Sequence, residues 1–299
     1  MSEPDGKPPR DALDSRLTPT PPDRRLRAAM ADFYKSSEQY AHQQSSHTVA
    51  YFSRLLGVID AVLTQSNLRV LEVGAGSAGV MRAFLERRRD AKAVAMELSP
   101  ASLRAMASDA PPGLRAVAGN ALELPFRTGS LDAVVAFEVL EHLPDVALAL
   151  DEMLRVVRRP GHIIIGLPNH ASLWTPVEDS MRRRDRRAFG VVRGRGAWRW
   201  FARNADLAWR KRRSNNAEFL YREPILHVAA GGDADAVYYA APIDLLRFFR
   251  KRRATLVTDS ARVRLGFAGR FLPVELQGST VMAWRVTEET VSESPVDRV

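Results

Sequence analysis

Three glycines, Gly74, Gly76 and Gly79, stand at G-x-G-x-x-G spacing in the stretch VLEVGAGSAGV. Glycines so placed let a backbone turn sharply and approach a ligand closely, and a helix opening there offers free N–H groups. Glu72 lies two residues before the first glycine, and Glu97 lies 18 residues after the last. A carboxylate at that second position can accept hydrogen bonds from both hydroxyls of a ribose. Asn120 and Ala121 follow in GNALELPF. An amide carbonyl beside a backbone N–H can read the edge of an adenine. Glu138, Glu141 and His142 follow in LDAVVAFEVLEHLPD. His142 can take a proton from a hydroxyl. On a helix the three would share one side, at i, i+3 and i+4, an arrangement that also suits a divalent cation.

Each feature has a plainer reading. The glycine loop fits a tight strand-to-helix turn, Asn120 a turn residue, and Glu141 and His142 a helix cap or pocket lining. The loop also fits either a nicotinamide dinucleotide or S-adenosylmethionine. Glu72 separates the two, because a carboxylate repels a pyrophosphate and attracts an ammonium.

The elements that must position these residues alternate. Strands are predicted over 68–73, 91–96, 114–118, 131–137 and the apolar run HIIIGLP, with helices over 78–88, after a Ser99 cap with Pro100 at the first position, and over 145–157. Near-continuous apolar strands separated by helices predict a mostly parallel sheet covered on both faces. After Pro168 some seventy residues fit no strand–helix unit, before a helix at 242–252 and strands at 254–258 and STVMAWRV. The domain reading has five parts: a disordered tail over 1–22, rich in proline, a helical lid over 23–66, the main domain over 67–287, an insertion over 170–240, and a loose tail over 288–299. Phe33, Tyr34, Tyr40 and Tyr51 belong to the lid, where they fold over the cofactor or simply pack between helices.

Taken in order and spacing, VLEVGAGSAG, AMELSP, GNALELPF, LDAVVAFEVLEHLPD and MLRVVRRPGHIIIGLPN resemble the successive motifs of class I S-adenosylmethionine-dependent methyltransferases. The resemblance is to the small-molecule branch, the ubiquinone-pathway O-methyltransferases and the type 11 group. It implies a Rossmann-like α/β fold with a seven-stranded sheet whose last strand runs antiparallel. It places Glu72, Gly74 and Gly76 at the methionine moiety, Glu97 at the ribose, and Asn120 with Ala121 at the adenine; Ala75, Leu98 and Glu138 are further cofactor-binding candidates. Family members usually carry Asp where this chain has Asn120. Phe137–Leu140, FEVL, lacks the Asn/Asp-Pro-Pro-aromatic motif of base amino methyltransferases. The implied activity is methyl transfer to a small-molecule or lipid-linked acceptor, O-methylation favoured, with His142 and Glu141 as catalytic candidates. Glu138, Glu141 and His142 are the candidate metal set. The alternatives are an NAD-dependent oxidoreductase and an S-adenosylmethionine-binding module without catalysis.

Charge singles out the insertion. Met181–Arg213 holds thirteen Arg and Lys against Asp185 and Asp206, a net of +11 in a chain of +9, leaving −2 for everything else. Trp198, Phe201, Ala202, Ala205, Ala208 and Trp209 fall on one helical face there, with Arg199, Arg203, Asp206 and Arg210 on another. Arginines beside Trp and Phe predict an interfacial helix on an anionic membrane surface through Arg182–Arg213. A phosphate or RNA partner is the runner-up, and a helix packed on its own domain is the plainest reading. Without cysteine the chain has no disulfides and no thiolate metal site. Lacking a leader-like or membrane-spanning run, it is expected in the cytoplasm, peripheral at the inner membrane face.

Overall fold

The computed structural model describes residues 17–36, 49–172, 195–227, 234–271, 277 and 279–287. Seven strands form one sheet: β1 (Arg69–Val73), β2 (Lys92–Glu97), β3 (Leu114–Ala118), β4 (Leu131–Phe137), β5 (Val157–Pro168), β6 (Ala254–Asp259) and β7 (Ser279–Val286). Their order is β3-β2-β1-β4-β5-β7-β6. β1 to β5 pair in parallel, and β7 runs antiparallel to both β5 and β6. This is the expected sheet.

The alternation of side chains along the central strands builds two cores. Leu71, Val73, Val134, Ala136, Ile163, Ile165, Met282 and Trp284 face one of them. Val70, Ala133, Val135, Ile164, Val281 and Ala283 face the other. A strand buried on both faces must be apolar throughout, which is why LDAVVAF and HIIIG read as unbroken runs. The helices α1 (Arg24–Ser36), α5 (Val146–Val156) and α7 (Pro242–Lys251) contribute to the first core, and α2 (Val49–Val62) and α3 (Gly79–Arg87) to the second. α4 (Pro100–Ser108) starts as expected, with Ser99 accepting from the Ser102 N–H and proline in the first turn.

Three differences from the sequence reading concern the edges. β5 begins at Val157 rather than after Gly161. A short helix α8 (Ser260–Leu265) and a 3-10 segment (Gly266–Phe271) follow β6 where no element was expected. The tail expected to be disordered up to residue 22 is partly ordered: Thr18 and Tyr221 exchange backbone hydrogen bonds of 3.0 and 2.7 Å. Backbone pairing with a distant segment leaves no periodic trace in a proline-rich stretch. Residues 1–16 and 288–299 lie outside the described residues.

The insertion carries the helix α6 (Arg195–Arg213). It packs through a face that the sequence reading assigned to neither group. Asn204, Leu207 and Lys211 are buried, while Phe201 and Trp209 are 42% and 56% exposed. The buried polar groups are matched: Asn204 Nδ2 donates to the His170 carbonyl at 3.0 Å and Oδ1 accepts from the Tyr239 hydroxyl at 2.9 Å. Lys211 Nζ bonds the Asp244 carboxylate and the Glu218 carbonyl. The side chains of Trp198 and Arg199 lie outside the described residues.

Candidate cofactor and acceptor site

The strand order reverses between β1 and β4, which lie side by side, and open α/β sheets bind ligands at the carboxyl ends of such a pair. A cavity of about 450 Å³ opens there, lined by the glycine loop, Glu72, Glu97, Asn120, Glu138 and His142. The loop is held in shape by backbone geometry. Gly74 and Gly76 take φ of 65° and 53°, a conformation costly for other residues. A Cβ on Gly74 would stand 2.5 Å from Val139 Cγ2, and one on Gly79 would stand 2.6 Å from Phe52 Cε2.

Glu97, at the end of β2, is gripped locally. Its carboxylate accepts the N–H groups of Gly76 at 2.9 Å, Leu98 at 2.7 Å and Ser99 at 3.0 Å. These bonds fix its position beside the loop. Glu72 is 3% exposed, and burial pushes its carboxyl up to about 8 despite the Met81 N–H bond, with the Glu97 charge pushing the same way. Its Oε2 is buried without a hydrogen-bond partner. Burial thus favours the neutral form of Glu72 over the standing negative charge that its type alone suggests. A carboxyl orphaned in a cavity wall fits a cationic amino group, which would draw it into the ionised form. Asn120 proves to be a turn residue as well as a pocket residue. Its Oδ1 accepts the Leu122 N–H at 3.0 Å, leaving the oxygen's second lone pair for the cavity. Ala121 and Leu98 line the same wall. The residues present therefore fit S-adenosylmethionine: Glu72 for the ammonium, Gly74–Gly76 for close approach, Glu97 for the ribose, Asn120 and Ala121 for the adenine.

The candidate metal set is not assembled. Only Leu140–His142 forms a 3-10 turn, and Glu138 precedes it with a φ of 53°. That break rotates Glu138 away from the helical i, i+3, i+4 register on which the set depended. Among the described residues no three His, Asp or Glu side chains converge as metal ligands.

His142 and Glu141 both line the cavity. Glu141 is also a structural tie, its carbonyl accepting from Val237 at 2.8 Å and Tyr238 at 2.9 Å. These bonds fasten the turn after β4 to the end of the insertion. His142 Nδ1 lies 3.2 Å from the Tyr34 hydroxyl and 3.2 Å from Asp235 Oδ2. Tyr34 Oη donates to Asp235 Oδ2 at 3.0 Å. Burial works to raise the Asp235 carboxyl, but bonds from His142 and Tyr34 and the His142 charge outweigh it and hold it below the usual range. Arg27, Met30, Ala31 and Phe52 complete the wall from α1 and α2. The lid residue Tyr34 thus reaches the site, whereas Tyr40 lies outside the described residues and so does the Tyr51 side chain. Asp235 was missed. One of two aspartates in GGDADAVYY, it carries no periodic or motif signal that ties it to residue 142. Of the remaining histidines, His170 accepts the Ala240 N–H and anchors α6, and His227 is exposed. His42 and His47 lie outside the described residues.

Residues 71–165 match the methyltransferase domain family designated Methyltransf_11. The chain is 31% identical over 125 residues to the chloroplastic tocopherol O-methyltransferase of Arabidopsis thaliana, covering 40% of this chain and 36% of that protein. It is 35% identical over 111 residues to the demethylmenaquinone methyltransferase of Thermobifida fusca, covering 36% of this chain and 46% of that protein. It thus spans less than half the length of either relative. A putative methyltransferase of Haloferax volcanii, solved in complex with the Trm112 activator, superposes with a TM-score of 0.53 at 12% identity, covering 84% of this chain and 96% of that one. That likeness concerns the fold. Sheet order, glycine-loop geometry and the family match together identify, around residues 71–165, a class I S-adenosylmethionine-dependent methyltransferase domain resembling those of quinone-pathway enzymes.

Proposed function

We propose that this chain transfers a methyl group to a hydroxyl of a small-molecule or lipid-linked acceptor. The observation that carries the reading is one cavity that holds the cofactor-shaped wall (Glu72, Gly74, Glu97, Asn120) and a histidine braced by Tyr34 and Asp235. S-adenosylmethionine supplies an electrophilic methyl on a sulfonium when bound. The chain supplies orientation and proton removal. Glu97 and the loop hold the adenosine end, and α1 lines the cavity with Met30 and Tyr34. His142 takes the proton of the acceptor hydroxyl as the oxygen–methyl bond forms and later releases it to solvent. The tocopherol and demethylmenaquinone methyltransferases among the relatives favour a phenolic or quinol acceptor with an apolar tail. No comparison favours the nicotinamide reading.

The test uses the full chain with labelled S-adenosylmethionine and a panel of hydroquinones bearing prenyl tails. Methylated product is expected, and His142→Ala should lower turnover by roughly 10²–10⁴ while cofactor affinity stays within a few-fold. Cofactor binding without product on any acceptor class would favour a binding module, and unchanged turnover in the variant would return His142 to lining the cavity.

A second reading concerns where the acceptor is met. Phe201 and Trp209 stay exposed on α6 although the helix is packed, and the Arg213 guanidinium lies 4.3 Å from the Trp209 ring centroid. Among the described residues no helix is long and apolar enough to cross a membrane. An arginine-rich helix with outward aromatics fits contact with an anionic lipid surface instead. The protein is expected to co-sediment with phosphatidylglycerol vesicles far more than with phosphatidylcholine vesicles, less so at high salt, and still less after Phe201→Ala with Trp209→Ala. Retention on RNA filters with no vesicle binding would replace lipid by a phosphate polymer.

A further inference from the structure

We infer that Asp235 and Tyr34 are positioning residues that fix the tautomer and raise the basicity of His142. This inference rests on the reading of His142 as the proton acceptor. Three polar atoms meet at 3.0, 3.2 and 3.2 Å: Tyr34 Oη to Asp235 Oδ2, Tyr34 Oη to His142 Nδ1, and Asp235 Oδ2 to His142 Nδ1. One assignment of protons satisfies all three. Tyr34 donates its hydroxyl hydrogen to Asp235, and His142 carries its proton on Nδ1, pointing between the Asp235 carboxylate and the tyrosine oxygen. The neutral ring is then unprotonated at Nε2, so a proton taken from an acceptor hydroxyl arrives there. The imidazolium that forms is stabilised by the carboxylate already bound to its other nitrogen.

The environment supports a standing charge on Asp235. The residue is 7% exposed, so its attraction for the ring is weakly screened by water. Its two partners come from separate parts of the chain, Tyr34 from α1 and His142 from the turn after β4, while Asp235 belongs to the insertion. The insertion thereby has a chemical role apart from its basic helix. Packing accounts poorly for the cluster, because a buried carboxylate matched by a titratable ring is a costly way to fill space. The ring edges pack as well: Tyr34 and His142 are 6.0 Å apart between centroids in a T-shaped pair, which holds the imidazole plane.

The test requires no acceptor. The full chain is labelled with ¹⁵N at histidine and titrated by NMR, the His142 resonance being assigned by its loss in His142→Gln. The other titratable groups lining the cavity are Glu72, Glu97, Glu138, Glu141 and Arg27, and they are left intact. At high pH the parent is expected to show the Nδ1–H tautomer of His142; an Nε2–H tautomer overturns the inference and needs no variant. Asp235→Asn should lower the His142 midpoint by about one pH unit or more, and Tyr34→Phe should lower it by less. His162 on β5 should keep its midpoint in both. An unchanged His142 midpoint in Asp235→Asn overturns the inference. Failure of the functional reading would look different: the tautomer and midpoints would stand as expected, while His142→Ala left turnover intact.

Discussion

The glycine-loop wall, proposed to hold the cofactor, and the His142 wall, proposed to meet the acceptor, line one cavity and are built in different ways. Glu97 is held by the N–H groups of Gly76, Leu98 and Ser99, none more than 21 residues away in sequence. His142 is held by Tyr34 and Asp235, and Tyr34 and Asp235 are themselves 201 residues apart. Arg27 on α1 pairs with Asp145 at the start of α5, again across 118 residues. Backbone donors dominate one wall and side-chain pairs the other. A backbone donor survives most substitutions, so the first wall depends on a few glycines and carboxylates. The second wall depends on distant elements arriving together.

The comparison can be broken most directly at the base of the insertion. Lys211 and Asp244 are 1% and 0% exposed and bonded to each other, tying α6 to α7. Lys211→Met leaves a buried carboxyl without its cation and should destabilise the protein by about 3–5 kcal/mol, lowering the melting temperature on the order of 10 °C. Below that temperature, S-adenosylhomocysteine affinity should change less than about threefold by calorimetry. A parallel fall in affinity would show that the two walls are one cooperative unit. The pair Lys211→Met with Asp244→Asn should recover part of the loss.

The converse substitution is Glu97→Ala. It removes the carboxylate that gathers three loop N–H groups and that is proposed to accept from the ribose. Cofactor affinity should fall by on the order of 2–4 kcal/mol, while the NMR midpoint of His142 stays where it is. A shifted midpoint would mean that the walls communicate electrostatically, and an unchanged affinity would remove Glu97 from the site.

Glu72 sharpens the comparison with a smaller effect. Its folded-state pKa of about 8 stands above the ordinary carboxyl value, so its contribution to stability is full in acid and is lost as pH rises through 8. Glu72→Gln should therefore melt higher than the parent without ligand, by a few degrees, with the gap growing from pH 5 to pH 8. Binding of an ammonium at Glu72 should release about one proton at pH 7, read from calorimetry in buffers of different ionisation enthalpy. The Gln variant should release none. Equal release in both proteins would place the ligand ammonium elsewhere.

Much of the first wall was legible beforehand because its residues sit at fixed offsets within single strand–turn–helix units. Gly74 opens the loop that follows β1, Glu97 ends β2 and Asn120 lies two residues past β3, and strand position is read from apolar runs. The metal set failed for a local reason: one residue in a left-handed conformation, Glu138, breaks the helical register assumed from spacing. The packed face of α6 carries no apolar periodicity to announce it: Asn204 and Lys211 are among the residues that pack, because His170, Tyr239, Glu218 and Asp244 meet their hydrogen-bonding needs.

The sequence by itself determined the sheet, its two buried faces and the cofactor loop, since apolar periodicity and glycine spacing act over a few residues and keep their meaning in any context. Only the tertiary structure decided that Tyr34, His142 and Asp235 meet, that Thr18 pairs with Tyr221, and that α6 presents Phe201 and Trp209 outward. Those outcomes depend on which polar groups find partners after the chain has closed on itself. A side chain's type and spacing state what it can bond; burial and distance, fixed by the whole fold, select the bond that forms.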